Sequence, residues 1–228
     1  ISGYRQIDIN LGCPFPMIAG KHKGAGMLLY PAQVAEVLAP IAEYPEIQFS
    51  LKMRLGWENA SECMVLVELL NAIRLSRIAL HARTGKQQYK GHPDLEAFQG
   101  FYELCQHPLY YNGGIESLSD IRQILIRFPL LKGVFIGRGL LSSPLLAKEF
   151  KGNETFLPEQ RMSIYFAFHE ELFSAYSQVL QGETQLLVKM KTLWEYFLPE
   201  TDRKLLKRIK KSTRLQQYTE SVKAIFTS

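Results

Sequence analysis

The chain alternates strand-like and helix-like segments five times along its first 150 residues. Strand-like segments are short runs of apolar and β-branched residues, whereas helix-like segments carry apolar residues at three- and four-residue spacing. The strand-like runs cover residues 6–11, 47–53, 77–82, 108–112 and 132–136, and the helix-like segments cover residues 31–43, 61–74, 95–106, 117–128 and 143–150. This α/β rhythm predicts parallel strands joined by right-handed crossovers, either in a doubly wound sheet or in a (β/α)₈ barrel.

Polar and glycine-rich motifs follow each of the five strands. They are Asn-Leu-Gly-Cys-Pro at 10–14, Lys-Met-Arg at 52–54, His-Ala-Arg-Thr-Gly at 81–85, Asn-Gly-Gly at 112–114 and Gly-Arg-Gly at 137–139. Functional groups after several different strands are more typical of a TIM barrel than of a doubly wound sheet. Because five strands alone would leave two unpaired edges, we expect the chain to hold about the last five βα units of a (β/α)₈ barrel, with three units preceding residue 1.

Strand-like runs stop after residue 150, and four helix-like segments follow at 158–181, 184–197, 202–211 and 215–226. Pro199 ends the second of these helices and Asp202 is a good N-cap for the third. We therefore place a domain boundary at 151–154. Residues 1–150 are expected to form the C-terminal part of a catalytic barrel, and residues 151–228 an all-α domain.

Positive charge is concentrated in this C-terminal domain. Between Lys189 and Arg214 there are nine Lys or Arg residues and three acidic residues, whereas the rest of the chain is close to neutral. Such a cluster favours a polyanionic partner, although a charge run is also common on an ordinary solvated face.

The cysteines and the hydropathy pattern both indicate a cytoplasmic protein. The three cysteines are widely spaced and form no Cys-x-x-Cys pair, which argues against a disulfide framework and against a metal site. No apolar run reaches the length of about 20 residues that a membrane span needs, and no signal pattern begins the chain. We expect no membrane association.

Cys13 differs from the other two cysteines in its surroundings. Cys63 and Cys105 lie in helical apolar patterns, so we expect both to pack in the core. Cys13 follows a strand end between Gly12 and Pro14, in a loop whose backbone shape is tightly restricted. At the carboxyl face of a barrel such a loop would direct the thiol into the mouth of the active site, which makes Cys13 the candidate catalytic residue.

Taken together, the motifs resemble the tRNA-dihydrouridine synthase family. The resemblance rests on their order and spacing over residues 1–145, and the following helices are similar to that family's C-terminal domain. The matching strings are Ile-Asp-Ile-Asn-Leu-Gly-Cys-Pro at 7–14, Lys-Gly-Ala-Gly-Met-Leu-Leu at 23–29, Lys-Met-Arg-Leu-Gly at 52–56, His-Ala-Arg-Thr at 81–84, Asn-Gly-Gly-Ile at 112–115 and Gly-Val-Phe-Ile-Gly-Arg-Gly at 133–139. The family implies FMN, reduced by NADPH or NADH, which reduces the C5–C6 double bond of a uridine in tRNA to dihydrouridine. It implies tRNA as the partner, and it does not imply a stable protein partner.

The resemblance also assigns individual residues. The family's catalytic cysteine corresponds to Cys13, and its flavin-binding residues correspond to Lys52, His81, Asn112, Gly113, Gly137 and Arg138. The family usually has an acidic residue where this chain has Gly114, so any hydrogen bond from that carboxylate is absent here.

Each assignment has a chemical reason. Hydride transfer to uracil C6 leaves negative charge toward C5 and the C4 carbonyl, so the other face of the base needs a proton donor. A thiol is ordinarily protonated at neutral pH, which makes Cys13 a general acid. The charge of Lys52 would stabilise the reduced flavin near N1 and O2; the alternative is a lysine that reaches solvent from a strand end. His81 would contact the flavin, or be an ordinary strand-end histidine.

Basic residues outside the barrel mouth are candidate RNA contacts. They are Lys86 and Lys90, beside the aromatic Tyr89, and Lys204, Lys207, Arg208 and Lys211 in the C-terminal domain. The basic residues would neutralise phosphates and Tyr89 would stack on a base. Together these contacts would hold a folded RNA with an extruded base. Arg83 serves either RNA or the flavin phosphate. The alternative for the loop residues is simple solvation.

Two other functions fit part of the pattern. One is an FMN-dependent dehydrogenase or reductase of a free pyrimidine, of the dihydroorotate dehydrogenase kind, which the basic helices disfavour. The other is a noncatalytic RNA-binding protein that keeps a relic of the barrel.

Overall fold

One parallel β-sheet organises the first half of the protein. The computed structural model describes residues 3–227, and within them the sheet has five strands. They are β1 (Gln6–Leu11), β2 (Gln48–Gly56), β3 (Arg77–Thr84), β4 (Leu109–Asn112) and β5 (Gly133–Phe135). Spatial order follows chain order, and every neighbouring pair is parallel. The predicted α/β class and the five strand positions are confirmed, while β2 and β3 run past their predicted ends.

Helices connect successive strands. They are α1 (Pro16–Ala19), α2 (Pro31–Leu38), α3 (Glu62–Asn71), α4 (Leu95–Leu104) and α5 (Leu118–Arg127), with 3₁₀ helices at Gly24–Leu29 and Ala39–Glu43. The single helix predicted at 31–43 is split because Pro40 has no N–H and its ring clashes with the carbonyl one turn back. Asp94 caps α4, since its carboxylate accepts a hydrogen bond of 2.9 Å from the Ala97 N–H.

The two faces of the sheet differ sharply in polarity. Register partners in neighbouring strands carry their side chains to the same face, and alternate residues of one strand point to opposite faces. One face is apolar and buried, with Leu51, Met53, Ile78, Leu80 and Tyr111. The other face carries Asn10, Lys52, Arg54, His81 and Asn112. The sequence alternation within each strand therefore separates the packing surface from a polar surface.

The remaining helices form a second compact unit. They are α6 (Arg138–Ser142), α7 (Leu146–Gly152), α8 (Pro158–Val179), α9 (Glu183–Leu193), α10 (Arg203–Lys211) and α11 (Leu215–Phe226). Their core is built around Met190, Trp194, Phe197, Ile209 and Tyr218. Among the described residues, none of the helices is both long and apolar enough to cross a membrane.

The division into two units falls earlier than residue 150. The first unit contains the residues up to 115 together with 119–136, and the second contains 116–118 and the residues from 137 onward. Helices α6 and α7 therefore pack with the C-terminal helices. The functional domain boundary at 151–154 stays a prediction.

Candidate active site at the carboxyl ends of the strands

A row of polar side chains crosses the sheet near the carboxyl ends of its strands. Asn10 is the register partner of Lys52, and one step further along the same face Arg54, His81 and Asn112 are partners in three successive strands. Parallel strands bring these residues together because their carboxyl ends lie at the same edge of the sheet. The structure thus assembles residues that are up to about a hundred positions apart in the chain.

The loop that carries Cys13 is fixed on both sides of that residue. The Gly12 N–H donates to Asn10 Oδ1 at 2.9 Å, and the Cys13 carbonyl accepts from the Ala25 N–H at 3.0 Å. Gly24 has φ +56°, and a Cβ there would lie 2.8 Å from the Cys13 Cβ. Only glycine fits this approach without strain. Cys13 is half-buried, so its backbone is held in place while the residue remains partly exposed.

Lys52 lies beside this loop. A Cβ on Gly12 would be 3.6 Å from Lys52 Nζ, which places the ammonium against the backbone just before Cys13. Burial lowers the pKa of Lys52, Arg54 lowers it further, and Asp8 partly opposes the shift. The ammonium is therefore half-buried in a cationic region, where an anionic group would be stabilised.

His81 and Arg83 are both buried and contact each other. His81 is 5% exposed, and an Arg83 Nη1 lies 3.2 Å from its Nε2. Because a guanidinium can only donate, Nε2 accepts, which leaves Nδ1 as the protonated nitrogen of the neutral ring. Arg83 is 4% exposed and its Nη2 donates to the Gly91 carbonyl at 2.9 Å. The guanidinium therefore lies within the protein, and its contact with RNA or with a flavin phosphate stays a prediction.

Arg54 is a site residue that the sequence reasoning did not assign. It is 1% exposed. Its Nε donates to the Gly12 carbonyl at 3.0 Å, and its Nη1 donates to the carbonyls of Thr84 at 2.8 Å and Gln88 at 2.7 Å. The available signal was its spacing: a residue two positions after Lys52 in a strand lies on the same face.

The loop after β3 presents the predicted RNA contacts. Lys86, Tyr89 and Lys90 are exposed, and Lys86 pairs with Glu58 at 2.6 Å, an exposed ion pair of small energetic value. The Gln87 side chain donates to the carbonyls of Lys90 and His92 at 3.0 and 2.9 Å. The loop is therefore internally braced, while Lys86 and Lys90 are exposed to solvent.

The Asn-Gly-Gly motif lies at the end of β4 and contributes the last residue of the polar row. Asn112 Nδ2 donates to the Phe135 carbonyl at 2.8 Å, and a Cβ on Gly113 would lie 3.2 Å from His81 Cδ2. Gly114 has φ +60°, and a Cβ there would lie 3.0 Å from Pro93 Cγ. A larger residue at 114 would be strained in this backbone, which agrees with glycine replacing the family's acidic residue.

Gly137 and Arg138 belong to the second unit. Gly137 precedes α6 as its N-cap residue, and Arg138 is the first residue of that helix; both are exposed. The structure therefore brings Cys13, Lys52, His81 and the Asn-Gly pair together within the first unit.

A basic groove lies between α10 and α11. Asp202 caps α10, as predicted, by accepting from the N–H groups of Lys204 and Leu205 at 2.8 and 3.1 Å. The groove has a volume of about 450 Å³. All four predicted RNA-binding residues of this domain line it, together with four polar residues: Lys204, Lys207, Arg208, Lys211, Ser212, Gln217, Glu220 and Ser221.

The other two cysteines have structural surroundings. Cys63 is fully buried in α3, as predicted, and burial raises the pKa of its thiol to about 12. Cys105 is half-buried at the C-cap of α4, and burial also raises its pKa. Neither lies on the polar face of the sheet.

Comparison with known proteins agrees with the motifs. The model of the family described as dihydrouridine synthase (Dus) matches residues 1–227. A probable tRNA-dihydrouridine synthase of Rhizobium leguminosarum bv. phaseoli is 32% identical over 139 residues, which are 60% of this chain and 44% of that protein. tRNA-dihydrouridine synthase B of Vibrio vulnificus is 27% identical over 162 residues, covering 69% and 50%. The chain spans about half the length of the curated relatives it matches. The family match over nearly its whole length shows that the chain belongs to the dihydrouridine synthase family.

Proposed function

We propose that this protein is an oxidoreductase that reduces the C5–C6 double bond of a uridine in tRNA to dihydrouridine, with FMN as cofactor and NADPH or NADH as reductant. One observation carries the proposal: a cysteine loop, a half-buried lysine and a buried histidine meet at the carboxyl edge of one sheet, in a chain of the dihydrouridine synthase family. The names of the relatives, which are tRNA-dihydrouridine synthases, support the substrate.

The sheet is proposed to be part of a (β/α)₈ barrel. Its strand order runs without reversal, whereas a doubly wound sheet reverses at a switch point. With such a strand order, right-handed crossovers put all the helices on one face of the sheet, and the opposite face becomes the barrel interior. The polar residues described above are proposed to occupy this interior face. The second unit is proposed to be the all-α tRNA-binding domain.

The residues of the site fit a flavin. A half-buried ammonium at Lys52 suits the electron-rich pyrimidine side of the ring system, and this ammonium lies beside the Cys13 loop, since a Cβ on Gly12 would be 3.6 Å from its Nζ. Lys52, His81, Asn112 and Gly113 would hold the ring system, and Gly137 and Arg138 the phosphate. When bound, the FMN supplies the hydride that adds to uracil C6.

Cys13 supplies the proton in this proposal. Its thiol donates to C5 from the face of the base opposite the hydride, so that both hydrogens of the new single bonds are accounted for. The backbone hydrogen bonds at Gly12 and Cys13 hold the chain segment that carries the thiol, and positioning of a reacting group contributes strongly to the rate of a proton transfer.

RNA binding is assigned to two basic surfaces. Lys86 and Lys90 would contact phosphates beside the extruded uridine, and Lys204, Lys207, Arg208 and Lys211 would contact phosphates in the groove between α10 and α11. Arg83 is proposed to shape the loop after β3 through Gly91.

The test compares electron acceptors. The complete FMN-loaded protein is given NADPH and either unmodified tRNA or free uridine, and dihydrouridine is quantified by mass spectrometry of digested nucleosides. Product from tRNA alone is expected. Product from the free pyrimidine would instead support the free-base enzyme, and a protein that binds tRNA but no FMN would support the noncatalytic relic.

A further inference from the structure

Arg54 connects two loops that are distant in sequence. Its Nε donates to the carbonyl of Gly12, immediately before Cys13, and its Nη1 donates to the carbonyls of Thr84, the last residue of β3, and of Gln88 in the loop that follows. The three bonds measure 3.0, 2.8 and 2.7 Å. One guanidinium therefore fastens the segment that carries the proposed acid to the segment that carries Lys86, Tyr89 and Lys90.

Burying this charge is costly, and its surroundings compensate. Burial lowers the pKa of Arg54 and the nearby Arg83 lowers it further, whereas the Tyr89 side chain acts in the opposite direction. The Tyr89 ring lies 5.5 Å from the guanidinium carbon, a cation–π distance. Charge-assisted bonds to three carbonyls are stronger than neutral ones. A buried charge retained under these conditions points to a role that an apolar residue could not fill.

The bonding geometry requires arginine. A planar guanidinium offers donors in several fixed directions, whereas a lysine is a single point charge on a flexible stem. The Thr84–Gly91 loop also needs an external fastening at Gln88, which adopts a left-handed conformation with φ 52°. Its carbonyl is held in that conformation by Arg54.

We propose that Arg54 is a positioning residue that couples the Thr84–Gly91 loop to the Cys13 loop, so that RNA bound by the first loop and the proton donor on the second keep a fixed relation. The proposal rests on the proposed function for the identity of the substrate and the acid. Arg54 itself donates no proton and takes no part in the bond changes.

The activity test uses Arg54→Ala and Arg54→Lys in the complete FMN-loaded protein. Dihydrouridine formation in a single turnover at saturating tRNA is expected to fall by about a hundredfold, because misplacing a reacting group by about 1 Å has an effect of that size. Flavin reduction by NADPH is expected to stay at the wild-type rate. Added guanidinium ion should restore part of the rate to Arg54→Ala and none to Arg54→Lys.

Arg74→Ala is the matched control. Arg74 is exposed and donates to a single carbonyl, that of Pro45, at 3.4 Å near the opposite edge of the sheet. Its loss should leave the rates of dihydrouridine formation and of flavin reduction unchanged. A wild-type single-turnover rate in Arg54→Ala, or equal loss of flavin reduction and product formation without guanidinium rescue, would overturn the proposal.

Hydrogen exchange tests the coupling without relying on activity. In Arg54→Lys, amide exchange should become faster both in residues 84–91 and in residues 12–25. In Arg74→Ala, exchange in these two segments should stay at the wild-type rate. Acceleration of only one loop, or of neither, contradicts the coupling. If the wild type forms no dihydrouridine but both loops loosen in Arg54→Lys, the proposed function fails and the connection between the loops stands.

Discussion

Cys13 is the residue on which the proposed chemistry depends. Its backbone is held by Ala25, its neighbour Gly12 is held by Asn10 and Arg54, and Gly24 approaches its Cβ closely. These contacts fix the backbone that carries the thiol while leaving the residue half-buried. The surrounding loop therefore has the properties expected around a proton donor.

Cys13→Ala is expected to lower dihydrouridine formation by about 10²- to 10⁴-fold, the usual contribution of a positioned general acid. Flavin reduction by the nicotinamide cofactor should stay unchanged, as measured by the bleaching of the flavin absorbance. Cys105→Ala is the control, since Cys105 is half-buried at the end of α4. Equal loss of both half-reactions in Cys13→Ala would exclude the role of acid.

Gly24→Ala tests the close packing against Cys13. The new methyl would meet Cys13 Cβ at 2.8 Å in a left-handed backbone, so we expect slower product formation and a stability loss of about 1–3 kcal/mol. The control is Gly100→Ala in α4, where the methyl meets only Met64 at 3.7 Å. That change should stabilise the helix by about 0.5–1 kcal/mol. Urea unfolding measures the free energy of unfolding of both variants. A change of the same sign in the two variants would contradict the packing argument.

At the scale of the element, α10 combines a cap with a basic surface. Asp202 fixes where the helix begins, and the 3.6-residue period then places Lys204, Lys207, Arg208 and Lys211 along one groove beside α11. Ile209 points the other way and is fully buried. The sequence pattern therefore determines both the packing face and the charged face of this helix.

The double variant Lys207→Ala/Arg208→Ala is expected to raise KM for tRNA and leave kcat unchanged, because distant phosphate contacts contribute to binding alone. The slope of log affinity against log salt concentration should become shallower by about 2, since each lost phosphate contact removes about one counterion. Lys151→Ala, in α7, serves as the control. Filter binding across a salt series measures the slope, and an unchanged slope would argue that the groove is only a solvated face.

At the scale of the whole molecule, each unit has its own core, and the core of the second contains a polar chain. His169 Nε2 lies 2.7 Å from the Tyr218 hydroxyl, which also accepts from Trp194 Nε1 at 3.0 Å, and His169 Nδ1 lies 3.0 Å from Glu170. The tyrosine hydroxyl donates to a neutral histidine whose Nδ1–H donates to the carboxylate. This arrangement satisfies each buried polar group named here.

The stability of the second unit is expected to fall at acidic pH because of His169. Burial lowers its pKa below 6.5, with Glu170 opposing the shift. The unfolded chain then binds more protons, so the stabilisation is present above the ordinary histidine pKa and is lost as the pH falls through the lowered one. Urea unfolding at pH 7.5 and 5.0 measures the loss. His169→Gln should show a smaller loss between these pH values, and an equal loss would assign the effect to other groups.

Local sequence determined most of the elements. Alternating and helical periodicity located the five strands and the main helices, Asp202 marked the start of α10, and the motifs identified the family. These features depend on neighbours within a few residues, so they can be read without the fold. The glycines and the cysteine loop belong to the same class, because backbone restriction is a local property.

Only the tertiary structure decided the placement of Arg54 and Arg83. Both are charged residues in motifs whose side chains could have faced solvent, yet both are buried and bound to carbonyls of other loops. The carbonyls that they bind lie about 8 to 42 residues away in the chain. Strand register and the paths of the loops bring these carbonyls within reach. Whether a cation faces solvent or is buried against backbone carbonyls depends on those partners, and periodicity carries no information about them.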